Sequence, residues 1–103
     1  MSELILTLYV AGETPGSRRA ATNLREICER EMPGEYRIEV VDVIEHPAVA
    51  ERAGILVTPT LVRRLPPPTR RVIGDLSDGE QVLRQLLDEV EDDAADTAAQ
   101  PTT

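Results

Sequence analysis

The chain has 103 residues, 41% of them hydrophobic, and a formal net charge of −8 from 19 acidic residues and 11 arginines. This length predicts one domain. The excess of negative charge argues against generic binding to nucleic acids or anionic membranes, because affinity for phosphate groups comes from positive charge. No apolar run approaches the roughly 20 residues of a membrane helix, and no signal-peptide pattern opens the chain, so we expect a cytoplasmic protein.

The sequence divides into a folded part and an acidic end. Residues 91–103 consist only of Glu, Asp, Ala, Thr, Gln and Pro. A segment without large apolar residues cannot offset the entropy of becoming ordered. We therefore predict a folded domain over residues 1–90 and a disordered acidic tail over residues 91–103.

The first half of the chain predicts a strand, a helix and a second strand. Residues 4–10 are almost wholly apolar, as in a strand covered on both faces. Thr14 and Pro15 provide an N-cap and a proline at the first helical position. The apolar stripe of this helix comprises Ala20, Leu24, Ile27 and Cys28. Residues 36–43 form the second strand, so we expect a right-handed βαβ unit with parallel strands.

The second half predicts a short helix, two strands and a final helix. The short helix follows His46 and Pro47, and residues 60–64 and 70–73 form strands that pair antiparallel. Ser77 and Glu80 match a capping box, in which each side chain satisfies the free backbone N–H of the other residue. The final helix is expected to bury Val82, Leu83, Leu86, Leu87 and Val90.

The predicted order β-α-β-α-β-β-α defines the fold class. A parallel pair beside an antiparallel hairpin, with helices covering the sheet, is the thioredoxin-like α/β arrangement. In that architecture a proline just before the third strand is commonly cis and faces the loop after the first strand. Pro59 occupies this position.

The chemistry of a thioredoxin-like enzyme is missing. The loop over residues 11–17, which would hold the nucleophilic cysteine, contains no thiol. Cys28, the single cysteine, lies on the apolar helix stripe and is interpreted as a buried structural thiol. His46 stands at a helix start, and no spacing of Cys, His, Asp or Glu resembles a metal site. We therefore predict no enzyme activity, no cofactor and no metal.

The segment from residue 58 to residue 78 concentrates positive charge around a proline run. Arg63-Arg64 and Arg70-Arg71 flank the three prolines at positions 66–68. The arginine pairs form either a solvated hairpin face or a docking edge for an acidic protein partner. The prolines form either a rigid turn or, together with Pro59, a set of slow cis–trans switches. The residues alone leave both questions open, although they favour the rigid turn.

Long segments of the chain carry a specific resemblance. They are residues 8–12 with Thr14-Pro15, 41–43 with Pro47, 58–61, Leu65-Pro66 with Pro68, and 70–78. On these segments, which extend over about residues 4–87, the sequence resembles the KaiB family of circadian clock proteins.

The resemblance implies a non-enzymatic regulator. Proteins of this family bind the N-terminal ATPase ring of the KaiC ATPase and modulate its phosphorylation and ATPase cycle, and they sequester KaiA where it is present. A KaiC-binding histidine kinase is a potential competitor. On this basis the docking residues are predicted to be Arg63, Arg64, Arg70, Arg71 and Asp75.

The resemblance also implies two alternative folds. The family has a tetrameric resting form with a different C-terminal half and a thioredoxin-like monomer that binds KaiC, so self-association to a dimer or tetramer is expected. The predicted switching residues are Pro59, Pro67, Pro68, Gln85 and Leu87. Some clock relatives have Gly and Asp at the last two positions. Since Gln and Leu are better helix formers, we expect a larger thioredoxin-like population in this chain.

Two other functions remain as alternatives. The chain could act as a thioredoxin-like sensor or adaptor for KaiC in stress signalling without a circadian oscillator, as at the start of KaiC-binding histidine kinases. It could also be a thiol enzyme based on Cys28, for which a reductase assay comparing the Cys28→Ser variant is expected to show no activity.

Overall fold

A computed structural model describes residues 3–87 of the chain. Its elements are β1 Leu4–Val10, α1 Pro15–Glu31, β2 Tyr36–Asp42, α2 Pro47–Arg52, β3 Thr60–Leu65, β4 Arg70–Ile73 and α3 Gly79–Leu87. The order β-α-β-α-β-β-α is the predicted one. The predicted acidic tail at residues 91–103 lies outside the described residues.

The four strands form one sheet in the order β2-β1-β3-β4. Strand β1 runs parallel to β2, with Leu8 opposite Val40. It runs antiparallel to β3, with Leu8 opposite Leu61, and β3 and β4 form the antiparallel hairpin, with Leu61 opposite Val72. The predicted parallel pair and the predicted hairpin are both confirmed, and β1 joins them at the centre.

The larger core lies between the sheet and two helices. Its buried members come from β1, α1, β3, β4, the turn before α3, and α3: Leu4, Leu6, Leu8, Val10, Ala20, Leu24, Ile27, Cys28, Leu61, Val72, Leu76, Val82 and Leu86. The opposite face of the sheet carries a smaller cluster of Tyr9, Val41 and Val62, against which Val43, Ala53 and Ile55 pack. β1 therefore packs on both faces, as its apolar sequence predicts.

Helix α1 forms where its sequence signals place it. The Thr14 side chain accepts a hydrogen bond from the Ser17 N–H (3.3 Å), and Pro15 occupies the first turn. The predicted stripe of Ala20, Leu24, Ile27 and Cys28 is buried. The helix ends at Glu31, and Gly34 (φ 79°) adopts the left-handed conformation in the turn toward β2.

The start of α3 differs from the predicted capping box. The helix begins at Gly79, and the N–H of Gln81 donates to Asp78 Oδ1 (3.2 Å), so Asp78 is the capping residue. The Ser77 N–H instead donates to Asp75 Oδ1 (3.1 Å). Between them Leu76 adopts a left-handed conformation (φ 63°) and is buried. Because Ser77 is bonded to Asp75 in the turn before the helix, the capping residue is Asp78, one position later than predicted.

Only part of the predicted apolar side of α3 is buried. Val82 and Leu86 are in the core and Leu83 packs at its edge. Leu87 is 41% exposed, which corrects the prediction, because residue 87 lies one position around the helix from the Val82–Leu86 stripe. Val90 lies outside the described residues.

Candidate functional site

The β3–β4 hairpin separates the two arginine pairs onto opposite faces of the sheet. Arg63 pairs with Arg70 and Val62 pairs with Arg71 in the antiparallel register. Since neighbouring residues of a strand point to opposite faces, Arg63 and Arg70 lie on the face covered by α1 and α3. Arg64 and Arg71 lie on the other face. The four arginines therefore do not lie on a single face of the hairpin.

Arg63 is an internal bridge. Arg63 is only 1% exposed. Its Nη1 donates to the backbone oxygen of Leu86 and its Nη2 donates to the backbone oxygen of Pro68, both at 2.6 Å. The Leu86 oxygen belongs to α3, on the buried side of that helix. Arg63 thereby joins β3 to the proline corner and to the last helix. This predicted docking residue is buried in this fold.

Arg64 and Arg71 line a hollow of about 310 Å³ on the open face of the sheet. We call it the arginine pocket, and it is lined by Tyr9, Ala53, Val62, Arg64, Thr69 and Arg71. Arg64 Nη1 lies 3.5 Å from the Tyr9 hydroxyl oxygen. Arg71 donates to the backbone oxygens of Gly54 (3.0 Å) and Ala53. These bonds orient both guanidinium groups but end on neutral oxygens, so they leave the positive charge of the pocket in place.

Two further exposed groups flank this region. Arg70 is exposed on strand β4, an edge of the sheet. Leu56 is 93% exposed and lies two residues after Gly54, whose backbone oxygen accepts a hydrogen bond from Arg71. The surface around the hairpin thus combines exposed arginine with an exposed apolar side chain, the composition found where proteins dock.

Asp75 links the turn after the hairpin to α1 through hydrogen bonds. Arg19 Nε donates to Asp75 Oδ2 (3.0 Å), and Asn23 Nδ2 donates to the Asp75 backbone oxygen (2.8 Å). The Arg19 and Ser77 hydrogen bonds lower the pKa of the Asp75 carboxyl. Asp75 was predicted as a docking residue. The structure commits its carboxylate and its carbonyl to bonds within the fold.

The predicted switching prolines lie at two ends of β3. The Thr58–Pro59, Leu65–Pro66 and Pro67–Pro68 peptide bonds are cis. A Cβ built on Gly16 would lie 3.8 Å from Pro59 Cδ, so Pro59 faces the start of α1 and the loop after β1, as predicted. Pro67 and Pro68 are exposed at the hairpin corner, where Arg63 binds the Pro68 carbonyl.

The other two predicted switching residues belong to α3. Gln85 is half-buried and lines a hollow of about 270 Å³ beside the Asp75 turn. Leu87 is exposed at the last described position. The structure thus places these two residues apart from the prolines, and Arg63 links α3 to the proline corner through its bonds to Leu86 and Pro68.

The loop where a thioredoxin-like enzyme would carry its thiol is held by hydroxyl groups and a carboxylate. Ser17 Oγ accepts from the Ala11 N–H (3.2 Å) and from the Thr14 hydroxyl (2.8 Å). Asp42 Oδ1 accepts from the Gly12 N–H (3.1 Å). Cys28 is fully buried in α1, and burial, followed by the charge of Glu29, raises the pKa of its thiol to about 11. Such a thiol is protonated at neutral pH and is a poor nucleophile.

Sequence reasoning missed four residues of these sites. Tyr9 and Thr69 line the arginine pocket, and Arg19 and Asn23 hold the Asp75 turn. The spacing of Arg19 and Asn23 places them on one face of α1, but nothing in the sequence indicates which loop they meet. Among residues 3–87, no three potential metal ligands come together, and no helix is long and apolar enough to cross a membrane.

The fold and this loop define a class: a thioredoxin-like protein whose active-site position carries no cysteine. Two solved structures support the fold. The N-terminal domain of SasA from Synechococcus elongatus is 27% identical with a TM-score of 0.72, covering 89% of this chain and 90% of that one. Mitochondrial thioredoxin 3 from Saccharomyces cerevisiae is 16% identical with a TM-score of 0.68, covering 85% and 80%.

The chain belongs to the KaiB family. The KaiB domain model matches residues 7–88. A circadian clock oscillator protein KaiB from Prochlorococcus marinus is 60% identical over 79 residues, which cover 77% of this chain and 75% of the relative. The protein of that name from Parasynechococcus marenigrum is 55% identical over 94 residues, covering 91% and 89%. Family membership confirms the resemblance and agrees with the prediction of a non-enzymatic clock protein.

Proposed function

We propose that this chain is a cytoplasmic KaiB-type clock regulator that docks on the N-terminal ATPase ring of a KaiC-type protein and modulates its phosphorylation and ATPase cycle. Relatives that are 55–60% identical carry the name circadian clock oscillator protein KaiB. The proposal includes sequestration of KaiA where it is present and competition with a KaiC-binding histidine kinase.

The observation that carries the docking proposal is the exposed arginine on both faces of the β3–β4 hairpin. Arg64, Arg70 and Arg71 reach solvent there, in a chain whose net charge is −8. A local positive surface on an acidic protein steers association with an acidic partner. We assign direct docking to these three arginines. Arg63 and Asp75 act on docking indirectly, because they hold the hairpin and the turn after it.

We also propose that the C-terminal half exchanges between this fold and a tetrameric resting form, with Pro59, Pro67, Pro68, Gln85 and Leu87 setting the balance. If only a fraction of the chain is competent to dock, the apparent affinity for KaiC falls by that fraction. Gln85 and Leu87 favour the helical form of residues 79–87, since both have higher helix propensity than the Gly and Asp of some relatives.

Reversing one arginine charge of the hairpin and neutralising another tests the docking surface. We expect Arg70→Glu with Arg71→Gln to weaken binding to a KaiC-type ring by more than about tenfold, as loss of charged interface contacts typically does, when measured by size-exclusion chromatography and titration. The matched control changes Arg25→Glu and Arg37→Gln on α1 and β2. If the hairpin variant is folded, as native NMR dispersion would show, and its affinity for the ring is unchanged, the docking assignment is wrong.

A second candidate function is a KaiC adaptor in stress signalling without an oscillator. The similarity to the SasA N-terminal domain over 89% of the chain favours it, because one thioredoxin-like fold serves both arrangements. Deletion of the gene distinguishes the two functions. Loss of rhythmic output in constant light supports the clock, whereas unchanged output with reduced survival under stress supports the adaptor.

A further inference from the structure

The charges of this chain are unevenly distributed along the sequence. Residues 88–103 hold six of the nineteen acidic residues and none of the eleven arginines: Asp88, Glu89, Glu91, Asp92, Asp93 and Asp96. The described domain, residues 3–87, carries all eleven arginines and is close to electrical balance. The negative charge of the acidic end is therefore complementary to the positive charge of the hairpin arginines.

The arginine pocket has the chemistry to receive carboxylates. It presents two guanidinium groups, Arg64 and Arg71, together with the hydroxyl of Thr69, around a hollow of about 310 Å³. Arg71 is fixed by its bonds to the carbonyls of Ala53 and Gly54, and Arg64 is oriented toward Tyr9. A planar guanidinium held in place binds a carboxylate through paired hydrogen bonds at little entropic cost.

The acidic segment follows helix α3, which is linked to the proline corner. Leu86 is bonded through Arg63 to Pro68, each bond being 2.6 Å. Thr69, the residue after Pro68, lines the pocket. The six residues 88–93 extend at most about 20 Å at 3.3–3.6 Å per residue. The proposal requires that this length carry the segment around the hairpin corner, from the helix-covered face to the open face.

We propose that the acidic C-terminal segment of this chain docks on the arginine pocket of its own domain, with the carboxylates of residues 91–96 facing Arg64 and Arg71. A tethered segment of this length has an effective concentration in the millimolar range. Contacts that would be weak between separate molecules are therefore populated within one chain. This contact does not depend on the proposed docking function. Its consequence does: the segment would compete with an acidic partner for the same arginines.

The contact is tested on the isolated full-length chain, without any partner. A spin label is attached at Ala95→Cys in a Cys28→Ala background, and amide NMR signals are compared with the label active and reduced. We expect selective broadening at Arg64, Thr69 and Arg71. The broadening should fall when the screening length shrinks from about 10 Å at 0.1 M salt to about 3 Å at 1 M salt.

Two charge variants separate a specific contact from simple proximity. Arg64→Gln with Arg71→Gln should remove the broadening, and Arg25→Gln with Arg37→Gln, which removes the same charge from α1 and the far edge strand, should keep it. Neutralising the segment instead, with Glu91→Gln, Asp92→Asn, Asp93→Asn and Asp96→Asn, leaves every residue of the pocket intact and should shift the pocket amides. Broadening that survives both the salt and the loss of Arg64 and Arg71 would overturn the proposal.

Binding to a KaiC-type ring then reports the consequence. If the segment competes for the arginines, the neutralised full-length chain should bind severalfold more tightly than the wild type. Broadening without this change keeps the contact and overturns the competition. Absence of broadening in a chain that still binds the ring overturns the contact and leaves the docking function standing.

Discussion

The two halves of this domain are held by different kinds of contact. The N-terminal half, β1, α1 and β2, is joined by a seven-residue parallel ladder and by the buried apolar stripe of α1. The C-terminal half, β3, β4 and α3, adds side-chain bonds to backbone oxygens: Arg63 to Leu86 and Pro68, Arg71 to Ala53 and Gly54, and Asn23 to Asp75. The first kind of contact is spread over many residues, and the second depends on a few.

This difference has consequences for how each half responds to change. Apolar contacts lack direction and tolerate small rearrangements, so a stripe such as that of α1 loses stability gradually. A hydrogen bond weakens steeply when its angle or length departs from the optimum. The C-terminal half therefore depends on a small number of polar residues, and loss of one of them can weaken the attachment of a whole strand or helix. This half also carries the proposed docking and switching residues.

Removal of the Arg63 bridge has the largest expected effect. The Arg63→Met variant leaves the buried carbonyl of Leu86 without this donor, at about 1–3 kcal/mol for a buried unsatisfied group. The Pro68 carbonyl lies at the exposed corner, where water can replace the guanidinium, and the lower desolvation of Met offsets part of the loss. We expect a net decrease of about 1–3 kcal/mol in the free energy of unfolding, and hydrogen exchange that rises in α3 and the hairpin before it rises in β1 and β2.

Arg64→Met is the matched control for this variant, because it removes the same group from the adjacent, exposed position of β3. It should change the free energy of unfolding by less than about 0.5 kcal/mol, as surface substitutions usually do. Equal effects of the two variants, or hydrogen exchange that rises uniformly over both halves, would contradict the distinction between the halves.

The sequence predicts the N-terminal half more completely than the C-terminal half, for the same physical reason. Periodicity and capping residues are local signals, and they locate β1, α1 and the parallel pair with few errors. The α3 cap shifts from Ser77 to Asp78 because Asp75 binds the Ser77 N–H. Asp75 is itself held by Arg19 and Asn23, more than fifty residues earlier, and no local pattern contains that contact.

The docking residues show the same limit. Arg63-Arg64 and Arg70-Arg71 are obvious as charge pairs, but strand alternation places one member of each pair on each face of the sheet. Alternation could have predicted the separation. It could not have predicted that Arg63 is fully buried, because that burial needs two carbonyl acceptors from the proline corner and α3.

Substitution in α3 tests the next smaller effect. Gln85→Gly with Leu87→Asp restores the residues of some relatives and should destabilise the helix. The glycine costs up to about 1 kcal/mol, and Asp has a lower helix propensity than Leu. We expect a second set of NMR signals for residues 59–87 and a larger mass by light scattering, while the signals of α1 stay in place.

The matched control for this pair is a substitution on the exposed side of the same helix. Arg84→Gln keeps high helix propensity and should leave a single set of signals. If the double variant stays monomeric with one set of signals, Gln85 and Leu87 do not set the balance between the folds. If α1 changes as much as α3, the two halves do not respond independently.

The effect expected in the N-terminal half appears only at alkaline pH. Burial raises the pKa of Cys28 to about 11 in the folded state, against about 8.5 in an unfolded chain. The folded state therefore holds the thiol proton more tightly. The resulting stability is fully present below pH 8.5 and is lost as the pH rises through 11, because the unfolded chain ionises first. Urea unfolding between pH 7 and pH 11 measures this loss.

Tyr36 complicates the same pH range, because its hydrogen bond to Glu29, followed by burial, raises its pKa as well. Two single variants separate the groups. Cys28→Ala should be less stable at pH 7, since it shortens a buried side chain, and should lose the part of the alkaline slope that begins near pH 8.5. Tyr36→Phe should keep that part. A slope that is unchanged in Cys28→Ala would mean that the thiol ionises equally in both states, and that the α1 stripe around it is open to water.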